Sequence, residues 1–220
     1  MVRGATLPAR SGRKAEKLSR AERNEETRQR LFDAATKVVG QYGYAEASVA
    51  RITELAGVAQ GTFYNHFENR QELLDQLLPA IGIDMVHFIR DRAGPNMPAG
   101  ERELAGFRAF FEFVHRVPEF QRILNEAEFF APKGYQKHLD NVATAFIRIF
   151  KRARSEGDIV DYSDEEFEAI VHMFMGARGY LSRRYASGSD TASVPDDVIT
   201  AYQKLITRGL FKPANRTEKS

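Results

Sequence analysis

Ser48-Val49-Ala50-Arg51-Ile52-Thr53-Glu54-Leu55-Ala56-Gly57-Val58-Ala59-Gln60-Gly61-Thr62-Phe63-Tyr64-Asn65-His66-Phe67-Glu68-Asn69-Arg70 is the stretch whose reading decides the fold. Ser48 is an N-cap, because its hydroxyl can accept from an orphan N–H of a helix start, and Val49, Ile52, Thr53 and Ala56 then recur on one helical face. Gly57 stands where the chain must turn sharply, since a residue without Cβ enters the left-handed region at no steric cost. Val58 plugs the corner from below, and a second short helix begins near Gln60. Phe63 and Phe67, four apart, form its buried face. Gln60, Gly61, Thr62, Asn65 and His66 are left facing outward, with Tyr64 at the margin. The stretch is a helix-turn-helix followed by the start of a third helix.

The outward face carries chemistry that suits a DNA groove. Gln and Asn can pair with adenine edges, Thr offers a methyl and a hydroxyl, and Gly61 lets backbone approach backbone. Tyr64 and His66 can donate to phosphate oxygens, and Arg70, capped by Asn69, brings a fixed positive charge to the same strand. A merely solvated hairpin would favour Glu, Lys and Ala over Gly-Thr-Phe-Tyr-Asn-His-Phe. The expected DNA-contacting residues are Ser48, Gln60, Gly61, Thr62, Tyr64, Asn65, His66 and Arg70.

The run from Gly57 through Phe67, followed by Arg70-Gln71-Glu72-Leu73-Leu74, resembles the DNA-binding domain of TetR-type (TetR/AcrR) bacterial transcriptional regulators. The resemblance covers about fifty residues, 27–77, and is architectural beyond them. Two departures stand out. Ala59 replaces a capping Ser or Thr common in the family, so one cap and one phosphate contact are missing. Ala50 takes a position where some members carry a base-reading Arg, a contact that is absent unless Arg51 substitutes for it.

The rest of the chain sets the bounds. Its 220 residues suffice for one or two domains, and 43% hydrophobic with 28% charged residues excludes overall disorder. Without cysteine there are no disulfides and no thiolate metal sites. No apolar run approaches a membrane span, and the basic N-terminus lacks a following apolar segment, so a cytoplasmic protein without a membrane partner is expected. The net charge of +2 conceals an asymmetry: residues 1–23 hold seven basic side chains against two acidic ones, a net +5, which leaves −3 for the remainder. Residues 1–21 read as a basic disordered arm, either a solubilising tail or a source of added phosphate or minor-groove contacts.

The fold class expected is all-α, with no strand pattern and no internal repeat. A helix over 22–42, with Leu31, Ala34, Ala35, Val38 and Tyr42 in one stripe, closes a three-helix domain over residues 22–74. A second helical domain follows over 75–211, then a tail over 212–220. The helix that starts at Arg70 joins the two domains and carries Pro79 and Gly82, which predict a kink or break near residues 75–82. Later helices are marked by Leu104 to Val114, by Phe120 to Phe130, by Leu139 to Phe150, by the capping box at Ser163 and Glu166, and by Val198 to Ile206.

Aromatic rings crowd residues 107–150 beyond what one helical face can use. They serve either as filled core or as the walls of an apolar pocket with a few convergent polar groups. The resemblance implies a small-molecule site here. Its walls would come from Phe110, Phe111, Phe129, Phe146 and Phe174, with His115, Asn125 and Arg178 as polar contacts. Aromatic walls suit a large apolar or aromatic effector, including an acyl or aryl thioester. Gly176 and Gly179 each cost about 1 kcal/mol in a helix interior, so close helix approach is expected there. The resemblance implies a homodimer interface from the last two helices, with Phe174, Gly176, Ala177, Leu181, Tyr185, Tyr202 and Leu205 as candidates.

No nucleophile motif, phosphate loop or metal signature is present, so no catalytic residue, cofactor or metal ligand is assigned. The Glu168 and His172 pair at i, i+4 arises on any surface helix. The reading is a homodimeric repressor of a palindromic operator in double-stranded DNA, released by a small molecule. Two other readings stand beside it: a DNA-binding architectural protein or activator without a ligand, and a small all-α enzyme. The feature that separates them is a closed apolar cavity within residues 100–180.

Overall fold

The computed structural model describes residues 19–94, 97–160, 162–186 and 194–208. The basic arm before Ser19 and the expected tail lie outside the described residues. Nine α-helices are described: α1 Arg20–Tyr42, α2 Val49–Ala56, α3 Gln60–Phe63, α4 Arg70–Ala93, α5 Ala99–Arg116, α6 Glu119–Phe130, α7 Pro132–Ser155, α8 Asp164–Leu181 and α9 Asp196–Arg208. A π-helical turn, Ser182–Ala186, extends α8. Among the described residues there is no strand.

Helix starts follow local side-chain chemistry. A capping box between Ser19 and Glu22 opens α1 two residues before the point the apolar stripe suggests. Ser48 accepts from the Arg51 N–H, Asn69 from Glu72, and Ser163 forms a capping box with Glu166. At Gly57 the chain takes φ 65° and ψ 41°, the left-handed turn that separates α2 from α3.

The helix over Arg70–Ala93 is not broken at Pro79. Proline deprives the carbonyl four residues earlier, Asp75, of its donor. The backbone of Gly134 in α7 comes up against that carbonyl so closely that a Cβ at residue 134 would lie 2.3 Å from the Asp75 oxygen. A second close approach follows one turn along α7, where His138 presses on Gly82 of α4. Packing by α7 along this face holds α4 helical where propensity alone predicts an interruption.

One apolar core runs from Leu31 in α1 to Tyr202 in α9, and a smaller cluster of Ala143, Phe150, Phe167 and Val171 joins α7 to α8. The described helix α4 crosses the expected domain boundary at residues 74–75 and packs on both α5 and α7. The far end of α1 is tied to α6. Arg122 donates to the carbonyls of Gly40 and Gln41 at 3.1 and 2.7 Å, and Glu126 accepts from the Tyr44 N–H at 2.9 Å. The helix-turn-helix is therefore held to the bundle at two places, through α4 and through α6.

Candidate nucleic-acid interface and adjoining cavity

The outward face of the helix-turn-helix is built on two buried rings. Phe63 and Phe67 are sealed, 5.4 Å apart, and Phe32 of α1 meets Phe67 edge-on at 5.6 Å. The Arg28 guanidinium covers Phe32 and Phe67 at 5.1 and 4.8 Å from the ring centres. Arg30 closes the C-terminus of α2, donating to Ala56 O at 2.5 Å and Gly57 O at 3.1 Å. With this support Ser48, Gln60, Gly61, Tyr64 and Asn65 are exposed, and Thr62 and His66 half-buried. A Cβ at Gly61 would meet nothing within 4 Å, so the fold itself does not require glycine there.

Helix α3 is a single turn, shorter than the spacing of its rings predicts. Ala59 gives it no side-chain cap, and the bonds from Asn65 N to Thr62 O and from His66 N to Phe63 O tighten the chain into turns. Gly, Thr, aromatic and Asn residues favour that outcome over continued α-helix.

Arg70 does other work than sequence reasoning assigns it. Its Nε donates to Ala47 O at 2.7 Å and an Nη reaches Tyr44 O, so the guanidinium closes the loop between α1 and α2. Arg51 is likewise occupied, lying 4.7 Å from the Tyr42 ring centre and bonding Glu46 O at 3.2 Å.

Behind α4 lies a cavity of about 1030 Å³, walled by α4, α5, α6, α7 and α8. Met85, Phe110, Phe120, Leu124, Val142 and Phe146 supply apolar wall. The lining also contains six arginines against three carboxylates. Arg90, Arg148 and Arg183 among them are exposed and stand at its rim.

Of the residues expected at a ligand site, Phe110, Asn125, Phe146 and Arg178 meet in this wall. The others do not. Phe111 is buried in the core against Phe107 and Phe110, and His115 is exposed on α5. Phe129 is 80% exposed at the end of α6, and Phe174 packs on Phe150 and Tyr202. Helical spacing orders side chains around an axis but does not say which arc faces the cavity, and α6 turns its Phe120, Ile123 and Ala127 arc inward instead.

Arg178 is buried with its charge answered. It pairs with Glu103 at 2.5 Å, Tyr202 donates to the same carboxylate, and the Phe107 and Tyr202 rings stack with centres 3.9 Å apart beside it. Tyr202, a candidate for the interface between subunits, is thus turned inward. Gly176 and Tyr180 of α8 face the cavity, whereas Met173 of α8 is 68% exposed, Ala177 beside it is half-buried, and Leu205 of α9 is 53% exposed. Leu181 and Tyr185 are half-buried. A Cβ at Gly176 would meet nothing within 4 Å of its own chain.

Sequence reasoning missed His138. It is 4% exposed and lines the cavity, and burial pushes its imidazole down to about 4. Its position at i, i+4 from Gly134 is the sequence signal that could have found it, once the α4 crossing is known.

A capped helix, a glycine corner, a one-turn reading helix and a long helix leading to a helical bundle define an all-α helix-turn-helix protein. Residues 31–77 match the family described as bacterial regulatory proteins, tetR family. The chain is 29% identical to the HTH-type transcriptional activator FasR of Mycolicibacterium smegmatis, covering 58% of this chain and 56% of FasR. It is 27% identical to the HTH-type transcriptional repressor KstR of Rhodococcus jostii, over 76% of this chain and 78% of KstR. The match spans about half the length of the first curated relatives, 44% of a Bacillus subtilis regulator and 56% of FasR. Among solved structures, FadR from Bacillus subtilis in complex with stearoyl-CoA shares the fold with a TM-score of 0.69, at 18% identity, over 84% of this chain and all of that one. Over residues 31–77 the chain is thus similar to the tetR family of bacterial regulatory proteins, and over most of its length it shares the fold of the FadR structure. Among the described residues no helix is long and apolar enough to cross a membrane.

Proposed function

We propose that this chain is a homodimeric, cytoplasmic repressor of a palindromic operator, released when an amphipathic, largely apolar effector enters the cavity. The observation that carries this reading is the cavity of about 1030 Å³ lying directly behind α4, the helix whose first residue is bonded into the helix-turn-helix. Apolar rings within and arginines at the rim suit a ligand with a long or aromatic body and an anionic head, such as an acyl thioester. The stearoyl-CoA complex of the FadR neighbour is in keeping with that class.

In this reading residues 22–74 hold the DNA, with Ser48, Gln60, Gly61, Thr62, Tyr64, Asn65 and His66 at the groove. Residues 75–211 hold the effector and the partner subunit. Two reading heads in successive major grooves sit about 34 Å apart. An effector that widens the cavity shifts α4 and changes that spacing, and coupling of about 1–3 kcal/mol is ordinary for such a switch. Exposed Met173 and Leu205 support a subunit interface on α8 and α9.

The test is a gel-shift titration of the full chain against a randomised operator pool, repeated with long-chain acyl coenzyme A. Tyr64→Ala is expected to weaken binding to every sequence, and Gln60→Ala or Asn65→Ala to change the bases preferred. Operator binding that no acyl thioester releases would refute the effector. FasR, an activator by name, favours a second reading in which the effector-bound form is the one that binds DNA. Tighter binding on adding the acyl thioester would establish it.

A further inference from the structure

Among the described residues, the buried part of the cavity wall is mostly apolar, its polar exceptions being the Arg178–Glu103 pair and His138. Arg178 is committed: its terminal nitrogens face Glu103, Tyr202 and the Phe174 carbonyl. His138 is not. Of its two ring nitrogens Nδ1 is sealed and without a partner, and it lies against α4, where a Cβ on Gly82 would come within 2.2 Å of it. Phe120 meets the ring edge-on at 6.2 Å. Nε2 is not sealed, and His138 is part of the cavity wall.

The tautomer follows from these surroundings. An N–H at Nδ1 would point at the Gly82 backbone with no acceptor in reach, which costs a full desolvation penalty. A lone pair at Nδ1 meets the Gly82 Cα–H instead, a weak but favourable contact. The proton therefore sits on Nε2, and the neutral ring offers one donor to the cavity. A neutral donor in an apolar wall selects a neutral acceptor. A carboxylate placed there would lose its hydration without a counter-charge, whereas the arginines at the rim are already suited to anions.

We propose that His138 is the specificity-determining contact of the cavity, its Nε2–H donating to a carbonyl oxygen at the end of the effector's apolar body while the other edge of the ring bears on Gly82 of α4. The assignment rests on the cavity being the effector site. It names what the effector must contain, a thioester, ester or amide carbonyl between apolar body and anionic head. It also gives the route by which occupancy reaches α4, because the ring cannot turn toward a ligand without changing its contact with Gly82.

The experiment uses the full chain and two probes that differ only at the carbonyl: palmitoyl coenzyme A and its thioether counterpart S-hexadecyl coenzyme A. Calorimetric titration of the parent protein is expected to favour the thioester by about tenfold, the worth of one hydrogen bond. His138→Leu is expected to bring the two affinities together while leaving the thioether affinity nearly unchanged. His138→Gln, which keeps an N–H donor, should retain part of the preference and covers the case in which the leucine variant fails to fold. Gly82→Ala displaces the ring without touching the ligand and should erase the preference too. Equal affinities in the parent protein would overturn the role of His138 while leaving the effector site standing. Binding of neither probe would overturn both. Independently of ligand, nitrogen NMR of histidine-labelled protein at pH 7 should show His138 as the neutral Nε2–H tautomer, and an Nδ1–H tautomer would sink the assignment.

Discussion

Replacing Arg178 by methionine is the most demanding test of how the cavity is held open. Arg178 and Glu103 are 6% and 12% exposed in their side chains and pair at 2.5 Å, joining α8 to α5, while Tyr202 brings α9 to the same carboxylate. Methionine fills much of the space but leaves Glu103 buried with the Tyr202 hydroxyl alone. Breaking a buried pair in this way costs about 3–5 kcal/mol. For a chain of this size one kcal/mol corresponds to about 2–4 °C in melting temperature, so a fall of roughly 6–20 °C is expected. Thermal unfolding followed by circular dichroism reads it directly. The double variant Arg178→Met with Glu103→Leu should recover most of the loss, because an apolar pair of similar volume is often as stable as the ions it replaces. A single variant within about 1 kcal/mol of the parent, or a double variant as unstable as the single, would refute the uncompensated-charge argument.

Arg70→Ala should lower stability by about 1–3 kcal/mol, since it leaves the Ala47 carbonyl without its donor and the Tyr44 carbonyl with the Ala47 N–H alone. Operator binding should weaken with it, and a gel shift that weakens with no change in melting would restore the phosphate role instead. Burial holds His138 at about 4 against an ordinary 6.5, so the unfolded chain takes up the proton first as pH falls. This contribution is complete above about pH 6.5 and is lost progressively down to about pH 4, by up to about 3 kcal/mol. Melting temperatures of the parent and His138→Leu across that window should diverge in slope, and parallel curves would contradict the buried neutral ring. Leu205→Glu together with Met173→Glu should yield monomers by sedimentation if α8 and α9 form the subunit interface, and an intact dimer would place it elsewhere.

The parts legible in the sequence were those whose cause is local. Ser48, Gly57, Asn69 and Ser163 announce helix ends through chemistry that acts within three or four residues, and the helix-turn-helix follows from them. What escaped reading depends on distant partners. Glu103 and Arg178 lie 75 positions apart, and nothing near either one says that they meet. Arg70 reads as a free cation until Tyr44 and Ala47 are brought beside it. Pro79 reads as a break until Gly134 is seen to pack against the carbonyl it strips. Phe129 and His115 have the right composition for a pocket and the wrong arc of their helices.

That stripped carbonyl has a mechanical consequence. A helix resists bending because hydrogen bonds bridge each turn to the next, and α4 lacks one such bridge at Asp75, five residues from its first. Flexing there costs one bond fewer than elsewhere, so the rod's own stiffness has a local minimum at this turn, against which α7 is packed. In the proposed switch, strain from the cavity end beyond Gly82 would concentrate at this pivot and tilt the stretch that carries the reading head. A rod of uniform stiffness would spread the same strain along its length and tilt the head less. Substituting Pro79 by alanine would therefore stiffen the connection, trading responsiveness for stability.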